Sequence, residues 1–405
     1  MRTLRLLLVM VFVGLLVVPA AMATVISGRS STVLEWYDMP NEETAVPAYE
    51  YLLLKARDIG GKDIHFFGYG RLAGDLADED DDVNSQLYSA YFDKKFDSYK
   101  LDIRAGRQFM TTTAGASVMD GAKLKFNKLL GRPLTLTVFG GNDVKYSESY
   151  KVGDYILGGE ARYDFSFKTN LGISYLQKWD DKELGYELFG FDAQHAFSKA
   201  IDAYGELQFD LLSESTTYAL VGTDYHRASN WSLRAEYLYS MPVFSATSIY
   251  SVFAVSEYQE IMLEYNHYLD YDMKAFGRVS NEMYADFDDA QVFEVGVEKM
   301  MMRSEWGGYA VATVRLDEEG QDLYGLKLHG SYKVNSNLRA GVGAHVDVLE
   351  RRIEPDADET TSSRVWTDAT YSLNERTSIE GKVEYLESDL WDYQIRGRVR
   401  LNWTF

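Results

Sequence analysis

Apolar and polar residues alternate along most of this chain, most clearly in its last fifteen residues, 391–405. Here apolar side chains occupy odd positions, whereas cationic and polar side chains occupy even ones. Because successive side chains of a strand point to opposite faces, the segment has one apolar and one charged face. The same period recurs at 155–165, 201–211, 231–239, 324–332, 338–348 and 379–385. From about Ser31 onward the pattern predicts about twenty-two strands, with a range of 18–22 because 33–37, 51–56 and 87–93 alternate weakly.

The connections between these segments are of two alternating kinds. Short turns occur at 59–62, 130–133, 197–199, 228–230 and 335–337. Longer acidic connections occur at 76–82, 317–322 and 351–363. Short turns at one rim and longer loops at the other are typical of a transmembrane barrel. We therefore predict an all-β, up-and-down antiparallel transmembrane β-barrel with periplasmic turns, extracellular acidic loops and both chain ends on the periplasmic side.

The final strand carries a further signal, because the chain ends on the aromatic residue Phe405. In its alternation and its terminal Phe it resembles the last strand of bacterial outer-membrane porin-like β-barrel proteins. This resemblance is to a large class. It implies that the barrel-assembly machinery reads Phe405, and that a lipid bilayer and lipopolysaccharide surround the barrel.

The first residues, 1–23, have the layout of a secretory signal peptide. Arg2 and Arg5 precede an apolar run at 6–18, and Ala21 and Ala23 form a small-residue cleavage motif. The apolar run is too short for a transmembrane helix. We expect cleavage after Ala23, with residues 24–405 forming a single barrel domain in the outer membrane of a Gram-negative bacterium.

Composition narrows the choice of partners and cofactors. The formal net charge is −21, which argues against nucleic acid as a partner because phosphates require a basic surface. The chain has no cysteine, so it offers no thiolate metal site and no covalent haem attachment. We expect no cofactor. The thirty tyrosines and six prolines suit long strands with aromatic girdles at the membrane interfaces.

The polar faces of the predicted strands give the lining of the lumen. Charges of both signs occur there, which requires a wet interior or a second polar body inside it. The predicted lining residues are Lys100, Arg104, Glu160, Arg162, Arg234, Glu236, Lys327, Glu380, Lys382, Arg396, Arg398 and Arg400. The ladder of three arginines near the carboxyl terminus either attracts anions or belongs to a neutralised structural network, and we favour the network.

A barrel of twenty-two strands is roughly 40 Å across, too wide for lining side chains to fill. Either loops fold inward or a partner occupies the lumen. The long apolar connection 241–256 either enters the lumen or extends a hairpin above the membrane. The acidic stretch 75–82 is interpreted as a solvated rim rather than a cation site, because blocks of like charge are usually exposed and its spacing matches no EF-hand.

Three functional hypotheses follow from this lining. The leading hypothesis is a porin-like channel that passes small polar or charged solutes. The alternative is a barrel sheath for a multihaem cytochrome that transfers electrons across the outer membrane, since a wide barrel without a plug is similar in organisation to porin–cytochrome conduits. Enzymatic activity is disfavoured because the six histidines show no metal or catalytic spacing. They are His65, His195, His226, His267, His329 and His345.

Overall fold

The computed structural model describes residues 24–38, 45–76, 84–145, 153–166, 168–228, 230–242, 257–270, 272–286, 288–317, 322–350, 359–389 and 391–405. The predicted signal peptide, 1–23, and most of the connections 76–82 and 241–256 lie outside these residues. Within the described part of the chain, no helix is long and apolar enough to cross a membrane. One-turn 3-10 helices occupy connections at Ile59–Gly61, Asp97–Tyr99 and Leu129–Gly131.

The described residues form twenty-two β-strands, the number that the alternation predicts. Most have ten to fourteen residues, enough to cross a bilayer when tilted. They are β1 Val25–Asp38, β2 Pro47–Arg57, β3 Ile64–Asp75, β4 Gln86–Phe96, β5 Leu101–Thr112, β6 Gly115–Phe126, β7 Leu134–Asp143, β8 Tyr155–Ser166, β9 Thr169–Asp180, β10 Glu183–Ala196, β11 Ile201–Asp210, β12 Ser215–Ala228, β13 Trp231–Ser240, β14 Tyr258–Asp270, β15 Met273–Tyr284, β16 Ala290–Lys299, β17 Trp306–Asp317, β18 Leu323–Lys333, β19 Leu338–Glu350, β20 Glu359–Asn374, β21 Thr377–Ser388 and β22 Trp391–Thr404.

Each strand pairs antiparallel with its neighbours in sequence, and β1 also pairs with β22, which closes the sheet into a barrel. At the seam the Gly28 N–H donates to the Phe405 carbonyl at 2.9 Å, and the Phe405 N–H donates back at 3.1 Å. Both ends of the barrel domain therefore lie at the same rim. Closure gives every strand of the described sheet a neighbour on both sides, as a lipid environment requires.

The two kinds of connection lie at opposite rims. The five predicted short turns all join an even strand to the next odd one, whereas the acidic connections join an odd strand to the next even one. The acidic rim also carries tight turns that the pattern did not predict, such as the two residues between β9 and β10. Asp181 and Lys182 there have φ values of 47° and 70°, the conformation of a two-residue hairpin turn.

Two strand boundaries differ from the sequence-based prediction. β1 begins at Val25 rather than near Ser31, because residues 25–30 pair with β2. β20 begins at Glu359, so part of the predicted acidic loop 351–363 is strand. Both stretches lack clear alternation, but the backbone ladder holds them extended.

Candidate functional site

The two faces of the barrel wall differ in chemistry. One face exposes apolar side chains such as Val399 and Trp403, each 42% exposed. The opposite face carries ion pairs, among them Arg162 with Asp192 at 2.7 Å. Hydrocarbon cannot hold such a density of charge, so the apolar face is the outer one and the charged face lines the lumen.

The hairpin formed by β5 and β6 leaves the wall before it ends. The ladder between β4 and β5 stops at Arg107, and the ladder between β6 and β7 stops at Met119. Residues 108–118 keep their ladder partners within the hairpin itself. This segment, here called the inward tip, lies against the inner face of the neighbouring wall strands.

A row of glycines marks the place where the hairpin bends. Gly106 pairs with Gly121, and Gly121 pairs with Gly141 on the next strand. Gly106 has a φ of 124°, and a Cβ atom there would lie 2.3 Å from the Ala90 carbonyl oxygen. At Gly121 a Cβ atom would lie 2.1 Å from the Gly140 carbonyl oxygen. Only glycine permits this conformation and this close approach of the backbones.

Both backbone polar groups of Ala114, at the end of the inward tip, form hydrogen bonds with side chains of the wall. Its backbone N–H donates to Ser174 Oγ at 2.8 Å, and its carbonyl accepts from Gln208 Nε2 at 2.8 Å. Gly190 forms the notch that receives it, since a Cβ atom there would lie 2.3 Å from the Ala114 nitrogen. These contacts fix the inward tip on strands β9, β10 and β11.

Two further hydrogen bonds connect the inward tip with charged wall residues. Thr113 Oγ1 donates to Asp192 Oδ1 at 2.8 Å, and Lys178 Nζ donates to the Ala116 carbonyl at 3.0 Å. The Asp192 carboxylate also accepts hydrogen bonds from the Arg162 guanidinium. Through Asp192 the tip is therefore connected to the ion pairs of the lumen.

An apolar cluster fills the space between the inward tip and the wall. Its members come from the hairpin and from β7 to β10, and each is at most 7% exposed. They are Met110, Ala114, Met119, Phe139, Ile156, Leu176 and Leu188. Burial of apolar side chains inside an otherwise wet lumen stabilises the docked position by the hydrophobic effect.

The inward tip was not predicted from the sequence. For the apolar connection 241–256 the sequence left two alternatives, entry into the lumen or a hairpin above the membrane, and residues 243–256 lie outside the described part of the chain. The pattern predicts strands on both sides of residues 113–114, because alternation continues whether or not a hairpin stays in the wall. The glycines at the bend are the sequence feature that could have indicated the inward tip. They lie in one row only in the folded sheet, because strand register brings them together.

Glu384 is the centre of a cationic group on the inner face of β20 to β22. It is 6% exposed and accepts charge-assisted hydrogen bonds from Arg364 and Arg396. The Lys382 ammonium also forms an ion pair with it. Arg396 and Lys382 therefore share one carboxylate with Arg364, so these four side chains keep a net positive charge.

The other two arginines of the ladder are less well neutralised. Arg400 forms a long ion pair with Glu380, at 3.9 Å. Within the described residues Arg398 makes no ion pair, and the same holds for Lys327; both line one recess of the wall. The ladder therefore combines the two alternatives, with paired and unpaired cations on one strand.

The predicted charges on the opposite side of the barrel are paired. Arg162 contacts Glu160 at 3.0 Å as well as Asp192. Arg234 contacts Asp224 at 2.9 Å. These side chains share a face with the residues that hold the inward tip.

The remaining predicted residues are placed as follows. Glu236 accepts a hydrogen bond from the Tyr204 hydroxyl. The Arg104 guanidinium lies 4.1 Å from the centroid of the Tyr91 ring. Lys100 lies in the turn before β5 with a φ of 52°, at the rim rather than on the wall. Its position follows from the 3-10 turn, which interrupts the alternation there.

Charge is distributed unevenly around the lumen, a feature that the linear sequence does not show. On β8 to β16 the inner-face carboxylates outnumber the cations Arg162, Lys178, Arg234, Lys274 and Arg278. Those carboxylates include Glu160, Asp164, Asp192, Asp202, Glu206, Asp224, Glu236, Glu260, Glu264, Glu282, Glu294 and Glu298. On β17 to β22 and β1 to β6 cations predominate, including Arg29, Lys55, Arg71, Arg104, Lys123, Lys125, Lys327, Lys333, Arg339, Arg364, Lys382, Arg396, Arg398 and Arg400.

These two sectors face each other across the lumen. A solute inside therefore experiences a field directed from the basic sector to the acidic one. Only the closed strand order reveals this, because each sector collects residues from several separated stretches of sequence.

Aromatic rings on the inner face of β3 and β4 add to the basic sector. Phe67 stacks on Tyr91 with centroids 5.2 Å apart, and Tyr69 stacks on Tyr88 at 5.0 Å. The rings give the cations of this sector a low-dielectric backing, which strengthens their field.

At the acidic rim, Lys145 ties the base of the β7–β8 connection to the next hairpin. Its Nζ lies 3.0 Å from Asp180 and 3.4 Å from Asp154. Burial lowers the pKa of Lys145, but its hydrogen bonds and charge attraction to the two carboxylates outweigh burial and raise that pKa. Among the described residues, no group of three or more His, Cys, Asp or Glu side chains is arranged to hold a metal ion.

No protein-family model matches this chain, and no curated protein matches it. Among solved structures, the siderophore receptor PirA from Pseudomonas aeruginosa has a TM-score of 0.61 at 10% identity, with 94% of this chain and 80% of that chain covered. Pseudomonas aeruginosa OpdQ has a TM-score of 0.48 at 10% identity, with 95% and 99% covered. OccK3 (OpdO) of the same organism has a TM-score of 0.46 at 11% identity, with 95% and 96% covered.

The chain is thus a closed antiparallel β-barrel of twenty-two strands, as the alternation of its residues predicted. The likeness to PirA concerns the barrel alone.

Proposed function

We propose that this protein is an outer-membrane channel that passes small polar or charged solutes through its lumen. The observation that carries the proposal is the inner wall, where an acidic and a basic sector face each other beside a docked inward tip. A charged, wet lining, with cations that have no ion-pair partner among the described residues, offers passing ions an aqueous path with specific contacts.

The inward tip gives this channel a constriction. It occupies the lumen beside β7 to β11, so solutes pass between the tip and the basic sector. The cations Lys327 and Arg398 then lie along the remaining path. We infer a preference for anions at low salt, which weakens as screening increases.

The test is single-channel conductance of the purified barrel in planar bilayers, with reversal potentials measured across a salt gradient. We expect steady openings and a reversal potential shifted toward that of the anion. Folded protein that gives no conductance would overturn the channel proposal.

A second candidate is the barrel sheath of a multihaem cytochrome conduit. Lumen width favours it: roughly 40 Å at the backbone for twenty-two strands leaves space that the inward tip does not fill. Copurification from cells respiring an external electron acceptor distinguishes the two functions. A haem protein bound in stoichiometric amount would favour the sheath, and its absence would favour the channel.

The proposal also covers how the protein is exported and where it resides. We infer that residues 1–23 are removed after Ala23, that Phe405 is read by the barrel-assembly machinery, and that the protein resides in the outer membrane among lipopolysaccharide. We assign it no enzymatic role. Amino-terminal sequencing of the mature protein tests the cleavage site.

A further inference from the structure

Two adjacent turns at the rim that carries the chain ends each present a large apolar side chain at the surface. The turn between β4 and β5 contains Tyr99, which is 78% exposed, and the turn between β6 and β7 contains Leu130, which is 90% exposed. The Asn127 N–H donates to the Lys100 carbonyl at 2.7 Å, so the two turns are held side by side. The described part of the barrel covers neither apolar side chain.

Leu130 has a backbone conformation that leucine rarely adopts. Its φ is 54° and its ψ is 26°, in the left-handed region that favours glycine. A one-turn 3-10 helix of the same form connects β2 and β3, and there Gly60 takes the corresponding place with a φ of 64°. A bulky residue at positive φ is an outlier, and one that packs against nothing in its own fold indicates a role for its side chain outside the fold.

Cations accompany the two apolar side chains. Lys100 and Lys128 lie in the turns themselves, and Arg132 follows the second turn. All three side chains are exposed, and among the described residues none of them forms an ion pair. Asp97 is the one carboxylate in the sequence of the two turns, 97–100 and 127–133. The pair of turns therefore carries a net positive charge beside exposed apolar groups.

Lys94 extends this positive charge onto the lipid-facing surface of the wall. It shares the outer face with its pairing partners Ile64 and Ile103. Its Nζ lies 5.1 Å from the centroid of the Phe96 ring, two residues nearer the rim. The side chain thus runs toward the rim, as a lysine does when its stem lies in hydrocarbon and its ammonium reaches the headgroups. A cation in this position meets lipid rather than a soluble partner.

We propose that the two turns and Lys94 form a binding site for an anionic phospholipid of the periplasmic leaflet. Its phosphate is held by the cations Lys94, Lys128 and Arg132, and Tyr99 and Leu130 lie among the first carbons of its acyl chains. Ammonium and guanidinium groups form charge-assisted hydrogen bonds with phosphate, and the apolar side chains gain by leaving water. The site lies outside the lumen, so the inference goes beyond the channel function and does not depend on the solute.

Native mass spectrometry of the detergent-solubilised barrel tests the site with dioleoylphosphatidylglycerol, compared with the zwitterionic dioleoylphosphatidylcholine. We expect the unaltered protein to bind phosphatidylglycerol more tightly. Lys128→Gln and Arg132→Gln should each weaken phosphatidylglycerol binding roughly fivefold, the effect of one cation near an anionic lipid surface, and leave phosphatidylcholine binding unchanged. Lys62→Gln is the matched control, because it removes an exposed cation from the β2–β3 turn, which has glycine in place of Leu130.

Leu130→Gly separates a role in lipid binding from a role in the fold. Glycine accepts a φ of 54° without strain, so this variant should unfold in urea like the unaltered protein. Both lipids should nevertheless bind roughly tenfold more weakly, because an apolar side chain is lost from the acyl region. A variant that loses stability but keeps its lipid would show that Leu130 serves the fold and would contradict the proposal.

Equal affinity of the unaltered protein for the two lipids would overturn the site without any variant having to fold. An equal loss in Lys62→Gln would do the same, since it would indicate diffuse attraction to the whole rim. Glycerol 3-phosphate presents the headgroup chemistry without acyl chains. If it displaces phosphatidylglycerol at equal concentration, the turns bind a soluble phosphate and the lipid proposal fails.

Discussion

The backbone N–H of Ala114 donates a 2.8 Å hydrogen bond to the hydroxyl of Ser174, sixty positions further along the chain. This bond joins the turn of one hairpin to the inner face of β9. With the buried apolar cluster beneath it, the contact makes the inward tip a fixed part of the lumen rather than a mobile loop. The constriction of the proposed channel is therefore built into the wall.

Filling the notch at Gly190 should displace the inward tip. In Gly190→Val the new Cβ atom would lie 2.3 Å from the Ala114 nitrogen and 2.5 Å from the Thr113 carbonyl carbon, both backbone atoms of the inward tip. The tip must move, so we expect a larger single-channel conductance from a barrel that still folds. The measurement is planar-bilayer conductance, with folding checked by heat-modifiable migration.

Gly277→Val is the matched control for this substitution. Gly277 also lies on a strand, but a Cβ atom there meets nothing within 4 Å. Its conductance should equal that of the unaltered protein. A folded Gly190→Val protein with unchanged conductance would mean that the inward tip does not restrict the pore.

The apolar cluster beneath the inward tip should contribute measurably to stability. Leu176 is fully buried, and Leu176→Ala should reduce the free energy of unfolding by about 2–5 kcal/mol, as large-to-small core substitutions do. Urea titration of the barrel in lipid vesicles measures this change. Leu157→Ala, at an outer position 52% exposed, is the comparison and should cost less. An equal cost at both sites would argue against a packed cluster.

The sequence predicted the barrel well because the period of two reports directly which face of a strand meets lipid. Strand number and the two kinds of rim follow from it. The start of β1 was placed about six residues late, near Ser31 instead of Val25, because residues 25–30 do not alternate between apolar and polar side chains. Backbone pairing, which sequence does not display, sets that boundary.

The candidate site was less predictable. Alternation gave the polar face to which Arg396 and Arg398 belong, but not which of them is paired, since that depends on register with β21. The inward tip depends on contacts between residues such as Ala114 and Gln208, 94 positions apart. Such contacts carry no local signal.

Removing the carboxylate of Glu384 should make the channel more selective for anions. The side chain is in contact with Arg364, Lys382 and Arg396, so Glu384→Gln removes the one carboxylate that these three cations share. We expect the reversal potential to shift toward that of chloride at 0.1 M salt and to recover at about 1 M, where the Debye length falls to about 3 Å. Glu387→Gln, exposed on the outer face of the same strand, should produce no shift. A shift of equal size in both variants would exclude a lumen effect.

The glycine at the bend of the hairpin should resist substitution. Gly106→Ala forces a side chain onto a φ of 124° and against the Ala90 carbonyl. We expect a loss of about 1–3 kcal/mol in unfolding free energy, the usual cost of such backbone strain. Gly330→Ala, where a Cβ atom meets nothing within 4 Å, is the control and should unfold like the unaltered protein. Equal stability of the two variants would show that the bend does not depend on glycine.

Stability at the rim that carries the chain ends should depend on pH through Asp272, which lies between β14 and β15. The Lys299 ammonium donates a 2.9 Å hydrogen bond that holds the pKa of Asp272 below its usual range, although burial acts in the opposite direction. Because this pKa is lowered on folding, the stabilisation is complete above the ordinary carboxyl pKa of about 4 and is lost as pH falls through the folded-state value. Unfolding midpoints in urea at pH 7 and pH 3 should therefore differ less in Asp272→Asn than in the unaltered protein. Lys299→Met removes the same hydrogen bond from the other side and should narrow the pH difference similarly, with no further change in the double variant. If the double variant shows additive losses, the two side chains stabilise the rim independently and the ion pair is not the cause.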